Sequence, residues 1–393
     1  MYLLNKCRNL FQVSTSVLTI LTGTVIIQFE EVPSSPYAIP EKTIHGALFF
    51  TGFTFGITIL TYVTHCGEIS IKYLRGSICS FIQFAIDLGL LIGISIIVII
   101  NNDYVNLSRN IYLIIGASTI IIGFYALITA YLLVCESPLV LLENYHEKKA
   151  TDALLKLRKE TDPTNPEIES EMADMRTILE NKSNSILKCR DMKPAFKILL
   201  CRYSYSLATS VTITSIILLF LDYNLEYKII LMFFGKFIAN FLPIYAIDLK
   251  GRKTILKISI TGSALFLIMS ILIQIFAENY YYNSIYMYSI MVPFFIYNIF
   301  LGCGSSSVGY TYMSEYWNYY RKNHVNTLII ILEYIPLILL NIFVNLGFGI
   351  TLLSFVIIIG IGPLQCIIGG IAMLLLPDTK GKTLLEIQNL PQR

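Results

Sequence analysis

Long apolar runs dominate the chain and alternate with short polar stretches. A helix needs about 20 consecutive apolar residues to cross the hydrocarbon core of a bilayer. The runs predict ten membrane-spanning helices, at residues 10–29, 44–66, 77–101, 111–134, 201–221, 226–247, 255–277, 284–311, 326–348 and 350–376. We therefore expect an all-α polytopic membrane protein.

The composition supports a membrane protein and excludes several other classes. The chain is 55% hydrophobic and only 14% charged, whereas soluble domains carry about 25% charged residues. Its cysteines show no spacing typical of a metal site or a disulfide framework. No catalytic triad, phosphate-binding loop or nucleic-acid-binding surface is recognisable. We expect the lipid bilayer as a partner, no enzyme activity, no metal or other cofactor, and no nucleic acid.

Lysine and arginine predict the orientation in the membrane. If ten spans are present, most of the basic residues fall on one side, which the positive-inside rule identifies as the cytoplasm. They are Lys6, Arg8, Lys72, Arg75, Lys148, Lys149, Lys156, Arg158, Lys159, Arg176, Lys182, Arg190, Lys250, Arg252, Lys253, Arg321, Lys322, Lys380 and Lys382. Both termini are therefore predicted to be cytoplasmic.

One polar segment of about 60 residues divides the chain. Its Glu, Lys and Leu positions through Leu142–Arg158 and Glu167–Leu179 predict short amphipathic helices. The expected organisation is a membrane half at 1–134 with four spans, a cytoplasmic linker at 135–196, and a second half with six spans at 197–393. Glu68 precedes Arg75 by the interval that separates Glu315 from Lys322, and such parallel repeats occur in transporters.

Five segments resemble loop signatures of the sugar porter family of the major facilitator superfamily. They are Glu68 through Arg75-Gly76; Glu136-Ser137-Pro138 with Leu141; Ala153-Leu154 to Leu157-Arg158; Asp248-Leu249-Lys250-Gly251-Arg252-Lys253; and Pro377-Asp378-Thr379-Lys380-Gly381-Lys382-Thr383-Leu384 with Glu386. They occur in the order of that family and cover nearly the whole chain. In its abundance of Tyr and Ile, the chain most resembles insect facilitated trehalose and hexose transporters.

The resemblance implies a helical bundle of twelve spans, and this chain is predicted to have ten. The segment 32–36 resembles the end of the family's first span, and Gly52 and Gly56 before Glu68 resemble its fourth. Spans two and three are therefore expected to be missing. The chain is then either a truncated or mis-spliced product, or a degenerate copy.

Charged residues of the loop signatures, and Glu315 and Lys322 of the matching repeat, are expected to be cytoplasmic gating charges, which pair in one conformation and separate in the other. They are Glu68, Arg75, Glu136, Asp248, Arg252, Glu315 and Lys322. The alternative is that they only anchor the chain at the cytoplasmic face of the membrane.

The substrate site that the resemblance implies is altered. Gln83 matches a sugar-binding glutamine, and Tyr310 stands where a sugar-stacking tryptophan is expected. Asp87, Lys236 and Glu333 introduce charges at membrane depth, which by default indicate a cavity or a partner. We predict that Lys236 pairs with Glu333 or Asp87; the alternative is drift in a copy that no longer transports.

The expected function is a facilitative carrier for a hexose or a disaccharide such as trehalose, working by alternating access. Asp87 or Glu333 would make protons a further partner if either carboxyl coupled transport to them. The alternative from another class is a non-transporting relative that senses solute, or an inactive product. Asn106 lies in a glycosylation sequon in a predicted outer loop, which favours the plasma membrane.

Overall fold

The computed structural model describes residues 8–27, 41–102, 107–132, 134–180, 193–209, 226–276, 284–317, 319–335, 337–339, 342 and 361–388. Every regular element in these ranges is a helix, and none of the described residues lies in a β-strand. This confirms the predicted all-α fold class. The predicted sequon at Asn106 lies outside the described residues.

The described helices are numbered along the chain. The first eight are α1 (Arg8–Ile27), α2 (Glu41–Ile69), α3 (Arg75–Asn102), α4 (Leu107–Leu132), α5 (Pro138–Glu143), α6 (Glu147–Arg158), α7 (Pro166–Glu180) and α8 (193–209). The others are α9 (Glu226–Ala239), α10 (Phe241–Lys250), α11 (Arg252–Phe276), α12 (Ser284–Phe300), α13 (Ser306–Glu315), α14 (Tyr319–Glu333), α15 (Gly362–Leu375) and α16 (Leu384–Gln388).

Within the described ranges, seven segments are long and apolar enough to cross a bilayer. They are Asn9–Ile27, His45–Ile69, Arg75–Ile96, Leu113–Leu132, Ile230–Lys250, Arg252–Ile273 and Met291–Glu315. The apolar helix α15 is shorter, with 14 residues. Parts of the predicted spans 201–221, 326–348 and 350–376 lie outside the described residues, so the total of ten stays a prediction.

Two predicted spans are not the single continuous α-helices that their apolar runs suggest. Span 226–247 is divided at Asn240, where α9 ends and α10 begins. Span 284–311 contains a π-helical turn at Leu301–Ser305. There the Ser259 hydroxyl of α11 donates to the Phe300 carbonyl at 2.6 Å and accepts from the Ser305 N–H at 2.9 Å. A side chain inserted into the backbone ladder in this way is a recognised cause of a helix irregularity.

The chain divides into two compact units. Unit 1 comprises Met1–Ile69 and Ile96–Ser185, and unit 2 comprises Ser70–Ser95 and Ile186–Arg393. Unit 2 therefore contains most of α3 together with the second half of the chain. The domain division predicted at 135–196 stays a prediction.

In unit 1, α1 packs directly along α4. A Cβ atom at Gly116 would lie 2.5 Å from Ile27 Cγ1 and 2.9 Å from the backbone oxygen of Gly23. Membrane helices approach this closely only where small residues let their backbones meet. Gly116 is therefore required by packing.

We expect Gly116→Val to destabilise unit 1 by about 1–3 kcal/mol, because overpacking forces the two helices apart. Gly52→Val is the matched control, since nothing lies within 4 Å of a Cβ at Gly52. The melting temperature of the detergent-purified protein reports both effects. Equal melting of the two variants would contradict the close packing of α1 and α4.

The linker contains two amphipathic helices, α6 and α7, as predicted. Their buried residues are Ala150, Ala153, Leu154, Ile168, Met172, Met175 and Ile178. Arg158 joins both helices to the end of α2: its Nη2 lies 2.9 Å from Glu171 Oε2, and its Nη1 donates to the Ile69 carbonyl at 3.0 Å. In the turn between α6 and α7, hydrogen bonds from the hydroxyl and backbone N–H of Thr164 lower the pKa of Asp162.

Unit 2 has an apolar core formed by α8, α9, α11 and α12. Its buried residues are Ala208, Met232, Leu267, Ile271, Met291, Phe294, Tyr297 and Leu301. The Tyr297 hydroxyl lies 3.1 Å from Gln365 Oε1, and the Ser204 hydroxyl donates to the Gln365 carbonyl at 2.9 Å. These two bonds join α15 to α12 and α8, so the core holds five helices in fixed positions.

Candidate functional site

Five buried polar side chains meet inside unit 2, and we call them the polar cluster. They are Gln83 and Asp87 of α3, Tyr205 of α8, Lys236 of α9 and Asn240, and none is more than 7% exposed. Charged groups at membrane depth are costly unless they are paired or face water. The charged groups of the polar cluster are therefore expected to have partners.

Asp87 is the centre of the polar cluster. Its Oδ1 lies 3.0 Å from Lys236 Nζ. Its Oδ2 accepts hydrogen bonds from Gln83 Nε2 at 3.1 Å and from Asn240 Nδ2 at 2.6 Å. The carboxylate thus has one cationic and two neutral donors, which offset the cost of burying its charge.

Tyr205 joins the amide and the ammonium of the polar cluster. Its hydroxyl oxygen accepts from Gln83 Nε2 at 2.6 Å and from Lys236 Nζ at 3.3 Å. Gln83 Oε1 is buried and has no donor among the described residues. Buried polar atoms are nearly always hydrogen-bonded, so Gln83 Oε1 is an acceptor that the described side chains leave open.

A second buried ion pair lies beside the polar cluster. Arg202 Nε donates to Glu333 Oε2 at 2.8 Å, and Arg202 Nη2 contacts the other carboxylate oxygen. Arg202 Nη1 donates to the Ser306 carbonyl at 2.7 Å. The Arg202 guanidinium carbon also lies 3.8 Å from the centroid of the Tyr310 ring. Both pairing and stacking therefore stabilise this fully buried cation.

At another position in unit 2, side chains from three loop signatures form what we call the ion-pair network. Arg252 Nη2 lies 2.8 Å from Glu315 Oε1 and 3.0 Å from Asp248 Oδ1. Arg75 Nη1 lies 3.9 Å from Glu315 Oε1. The Thr379 hydroxyl donates to Glu315 Oε2 at 2.5 Å. Four separate parts of the chain therefore meet through the carboxylates of Glu315 and Asp248.

Asp248 also caps the N-terminus of α3. Its carboxylate accepts from the Gly76 N–H at 3.2 Å, from the Ser77 N–H at 2.7 Å and from the Ser77 hydroxyl at 2.9 Å. A negative charge is favourable there because the first N–H groups of a helix have no helical partners. Gly251 follows with φ +96°, and a Cβ there would lie 2.6 Å from Asp378 Oδ2. Local geometry thus explains why the loop signature at 248–253 has Asp248 and Gly251.

The structure decides between the two partners predicted for Lys236. It pairs Lys236 with Asp87, while Glu333 binds Arg202 instead. The guanidinium of Arg202 covers one face of the Tyr310 ring, so that face is not available to a sugar in this conformation.

The predicted gating charges fall into both units. Arg75, Asp248, Arg252 and Glu315 lie together in the ion-pair network. Lys322 is buried near the start of α14. Glu68 is buried in unit 1, where Glu136 also accepts a hydrogen bond from the Asn9 N–H at 3.2 Å. Their gating role stays a prediction.

The sequence interpretation did not single out Tyr205 and Asn240 of the polar cluster, or Arg202 of the neighbouring ion pair. A signal for Arg202 was present, since it is a cation at the beginning of the predicted span 201–221. The rule that selected Lys236, a charge within an apolar run, applies to Arg202 as well. No comparable signal marks Asn240, because a neutral amide in an apolar run is less unusual.

Solved structures share this fold. XylE, a proton:xylose symporter of the major facilitator superfamily, bound to 6-bromo-6-deoxy-D-glucose, has a TM-score of 0.76 at 18% identity over 98% of this chain and 83% of that chain. A partially occluded inward-open form of XylE from E. coli has a TM-score of 0.66 at 18% identity, over 96% and 82% of the two chains. The inward-open form scores 0.59 at 17% identity, over 98% and 83%. The likeness establishes the major facilitator fold.

The sequence itself matches a family model. No curated protein sequence matches the chain. The family described as "Sugar (and other) transporter" matches residues 14–390, which is nearly the whole chain. This confirms the predicted transporter class and excludes an enzyme. The chain is therefore a multi-pass membrane protein that belongs to the sugar (and other) transporter family.

Proposed function

We propose that the chain is a facilitative carrier of a hexose or of a disaccharide such as trehalose, and that it works by alternating access. The observation that carries this proposal is the ion-pair network. Residues of α3, α13, the α10–α11 junction and the segment after α15 converge on Glu315 and Asp248. A contact that ties together the ends of several spanning helices is suited to holding one conformation closed.

The network supplies a two-state element. Buried charge pairs are stable only while both partners remain in place, so opening must separate them together or replace them with water. Arg75, Asp248, Arg252 and Glu315 are then gating charges at the cytoplasmic ends of the helices. The resemblance extends the same role to Glu68, Glu136 and Lys322.

The charge balance of the polar cluster and its neighbouring pair favours a neutral substrate. Asp87 is balanced by Lys236, and Glu333 by Arg202. No net charge is left there to offset an ionic ligand, whereas Gln83 Oε1 needs a hydrogen-bond donor. Sugars supply neutral donors in the form of hydroxyl groups. We assign Gln83, Asp87, Lys236, Glu333 and the remaining face of Tyr310 to the substrate site.

The same pairs favour downhill transport. XylE is a proton:xylose symporter, and proton coupling requires a carboxyl group that changes its protonation during the cycle. In this chain, Asp87 lies 3.0 Å from Lys236 and Glu333 binds Arg202, so releasing either carboxyl group would break a buried ion pair. We therefore expect uptake to follow the sugar gradient and to be insensitive to a protonophore.

Several finer features of the proposal rest on the sequence. We place the carrier in the plasma membrane with both termini in the cytoplasm, because the basic residues cluster on one predicted side. We also propose that it lacks counterparts of the family's second and third spans. Coverage of 83% of the XylE chain against 98% of this one supports a shorter bundle.

The test is uptake of labelled D-glucose and trehalose in transporter-deficient cells. We expect saturable uptake by the natural chain and an approximately tenfold lower maximal rate for Glu315→Gln, because Arg75 and Arg252 lose a charged partner. Glu169→Gln is the matched control, since Glu169 is exposed in the linker helix α7. Rates are normalised to the amount of protein at the cell surface.

Uptake that is absent although the natural chain reaches the surface would favour a non-transporting solute sensor or an inactive product. Equal rates for Glu315→Gln and Glu169→Gln would refute the gating role of the ion-pair network.

A further inference from the structure

We propose that Asp87 and Lys236 fix the Gln83 amide in one orientation, so that the site selects a substrate hydroxyl by its hydrogen. In this arrangement Gln83 Oε1 accepts from the hydroxyl, and Tyr205 donates to the same hydroxyl oxygen. Within the substrate site, Asp87 and Lys236 act on the sugar through Gln83 and are therefore positioning residues. The inference rests on the proposed function and adds the polarity of the recognised group.

Both hydrogens of the Gln83 amide are used within the protein. An amide nitrogen carries two hydrogens and no acceptor site. Gln83 Nε2 lies 3.1 Å from Asp87 Oδ2 and 2.6 Å from the Tyr205 oxygen, so both hydrogens are used. The whole donor capacity of the side chain is therefore consumed inside the protein. Only Oε1 is left, and it has no donor among the described residues.

The Gln83 amide cannot be reversed. A rotation that exchanges Nε2 and Oε1 would place the amide oxygen against the Asp87 carboxylate, where two acceptors repel. The same rotation would leave the amide nitrogen buried without an acceptor. Asp87 therefore determines which atom Gln83 presents to a ligand.

Lys236 offsets the buried charge of Asp87. Lys236 Nζ lies 3.0 Å from Asp87 Oδ1, and both side chains are buried. Without this cation, the Asp87 carboxylate would be a buried charge with only neutral partners, an arrangement costly enough to move it away from Gln83. The polarity of Gln83 thus depends on the ion pair and not on Gln83 alone.

Tyr205 supplies the complementary donor. Its oxygen accepts from Gln83 Nε2 and from Lys236 Nζ, and neither bond uses its hydroxyl hydrogen. A free acceptor on Gln83 and a free donor on Tyr205 therefore belong to groups that contact each other directly. A hydroxyl is the neutral sugar group that donates and accepts at once.

The test uses D-glucose, trehalose and glucose analogues in which one hydroxyl at a time is replaced by hydrogen or by fluorine. Fluorine keeps a weak acceptor but removes the hydrogen. Competition with labelled sugar uptake gives the apparent affinity of each analogue. We expect one position at which the fluoro and the deoxy analogue both compete about tenfold more weakly than the parent sugar.

Two variants show whether the ion pair sets this preference. Asp87→Asn combined with Lys236→Met keeps the cluster neutral and gives Gln83 a partner that can either donate or accept. We expect the discrimination against fluorine at that position to fall from about tenfold to less than about threefold. Tyr205→Phe keeps the ring that Arg202 contacts and removes the hydroxyl. It should weaken binding of the parent sugar but preserve the need for a substrate hydrogen.

If the chain transports sugar and every fluoro analogue competes as well as the parent sugar, the inference is overturned and the proposed function stays intact. Unchanged discrimination in the double variant, with uptake retained, would also overturn it. If the chain reaches the surface but neither sugar binds or enters, the proposed function and the inference both fail.

Discussion

Replacing Lys236 by methionine is expected to remove most of the protein from the cell surface. The substitution leaves Asp87 buried beside two neutral donors but without its cation, which lies 3.0 Å away in the natural chain. Removing one partner of a buried pair costs about 3–5 kcal/mol, a large fraction of the stability of a typical protein. Surface biotinylation and the melting temperature in detergent measure the loss.

A second substitution distinguishes pairing from mere crowding. Lys236→Met with Asp87→Asn removes both charges, and we expect surface protein to recover to within about threefold of the natural level. Lys236→Met with Glu333→Gln is the matched control, and it should not recover because Glu333 binds Arg202. Recovery with Glu333→Gln, or no recovery with Asp87→Asn, would contradict the observed pair.

Arg202→Met is expected to have an effect of similar size. Arg202 is fully buried, binds Glu333 through two of its nitrogens, and donates to the Ser306 carbonyl. The substitution leaves the Glu333 carboxylate buried without a cation, at a cost of about 3–5 kcal/mol. Adding Glu333→Leu removes the uncompensated charge, so the double variant should regain most of the lost stability.

An exposed pair supplies the comparison for Arg202. Arg176 contacts Glu147 on the linker, where the two side chains are 55% and 63% exposed. Arg176→Met should therefore change stability by less than about 1 kcal/mol. The melting temperatures of both arginine variants, measured side by side, check the prediction. Equal shifts would show that burial of Arg202 does not determine its contribution.

Much of the fold could be predicted from the sequence because the bilayer imposes simple requirements. Apolar length gave the helices α1 to α4 to within a few residues, since a spanning segment must be both long and apolar. The amphipathic pattern likewise predicted α6 and α7. The irregular turn at Leu301–Ser305 was not predicted, because it depends on the hydroxyl of Ser259 on another helix. Contacts between residues so distant in sequence leave no local pattern.

The candidate site was predicted only in part. A charge in an apolar run is a strong local signal, and it identified Asp87, Lys236 and Glu333. Which acid pairs with which cation depends on how the helices are arranged. Glu333 pairs with Arg202 and not with Lys236. The loop signatures and the matching repeat identified Arg75, Asp248, Arg252 and Glu315 as candidate gating charges, but their convergence in the ion-pair network was seen only in the structure. The orientation of the Gln83 amide could not be predicted from the sequence, because it depends on the positions of atoms on three helices.

We propose that this chain moves a neutral sugar across a membrane by alternating access. The most direct measurement is counterflow in proteoliposomes that contain the purified chain and are preloaded with unlabelled D-glucose or trehalose. We predict transient accumulation of the labelled sugar above its outside concentration, without a pH gradient and insensitive to a protonophore. Folded, reconstituted protein that gives no accumulation with either sugar would contradict the claim.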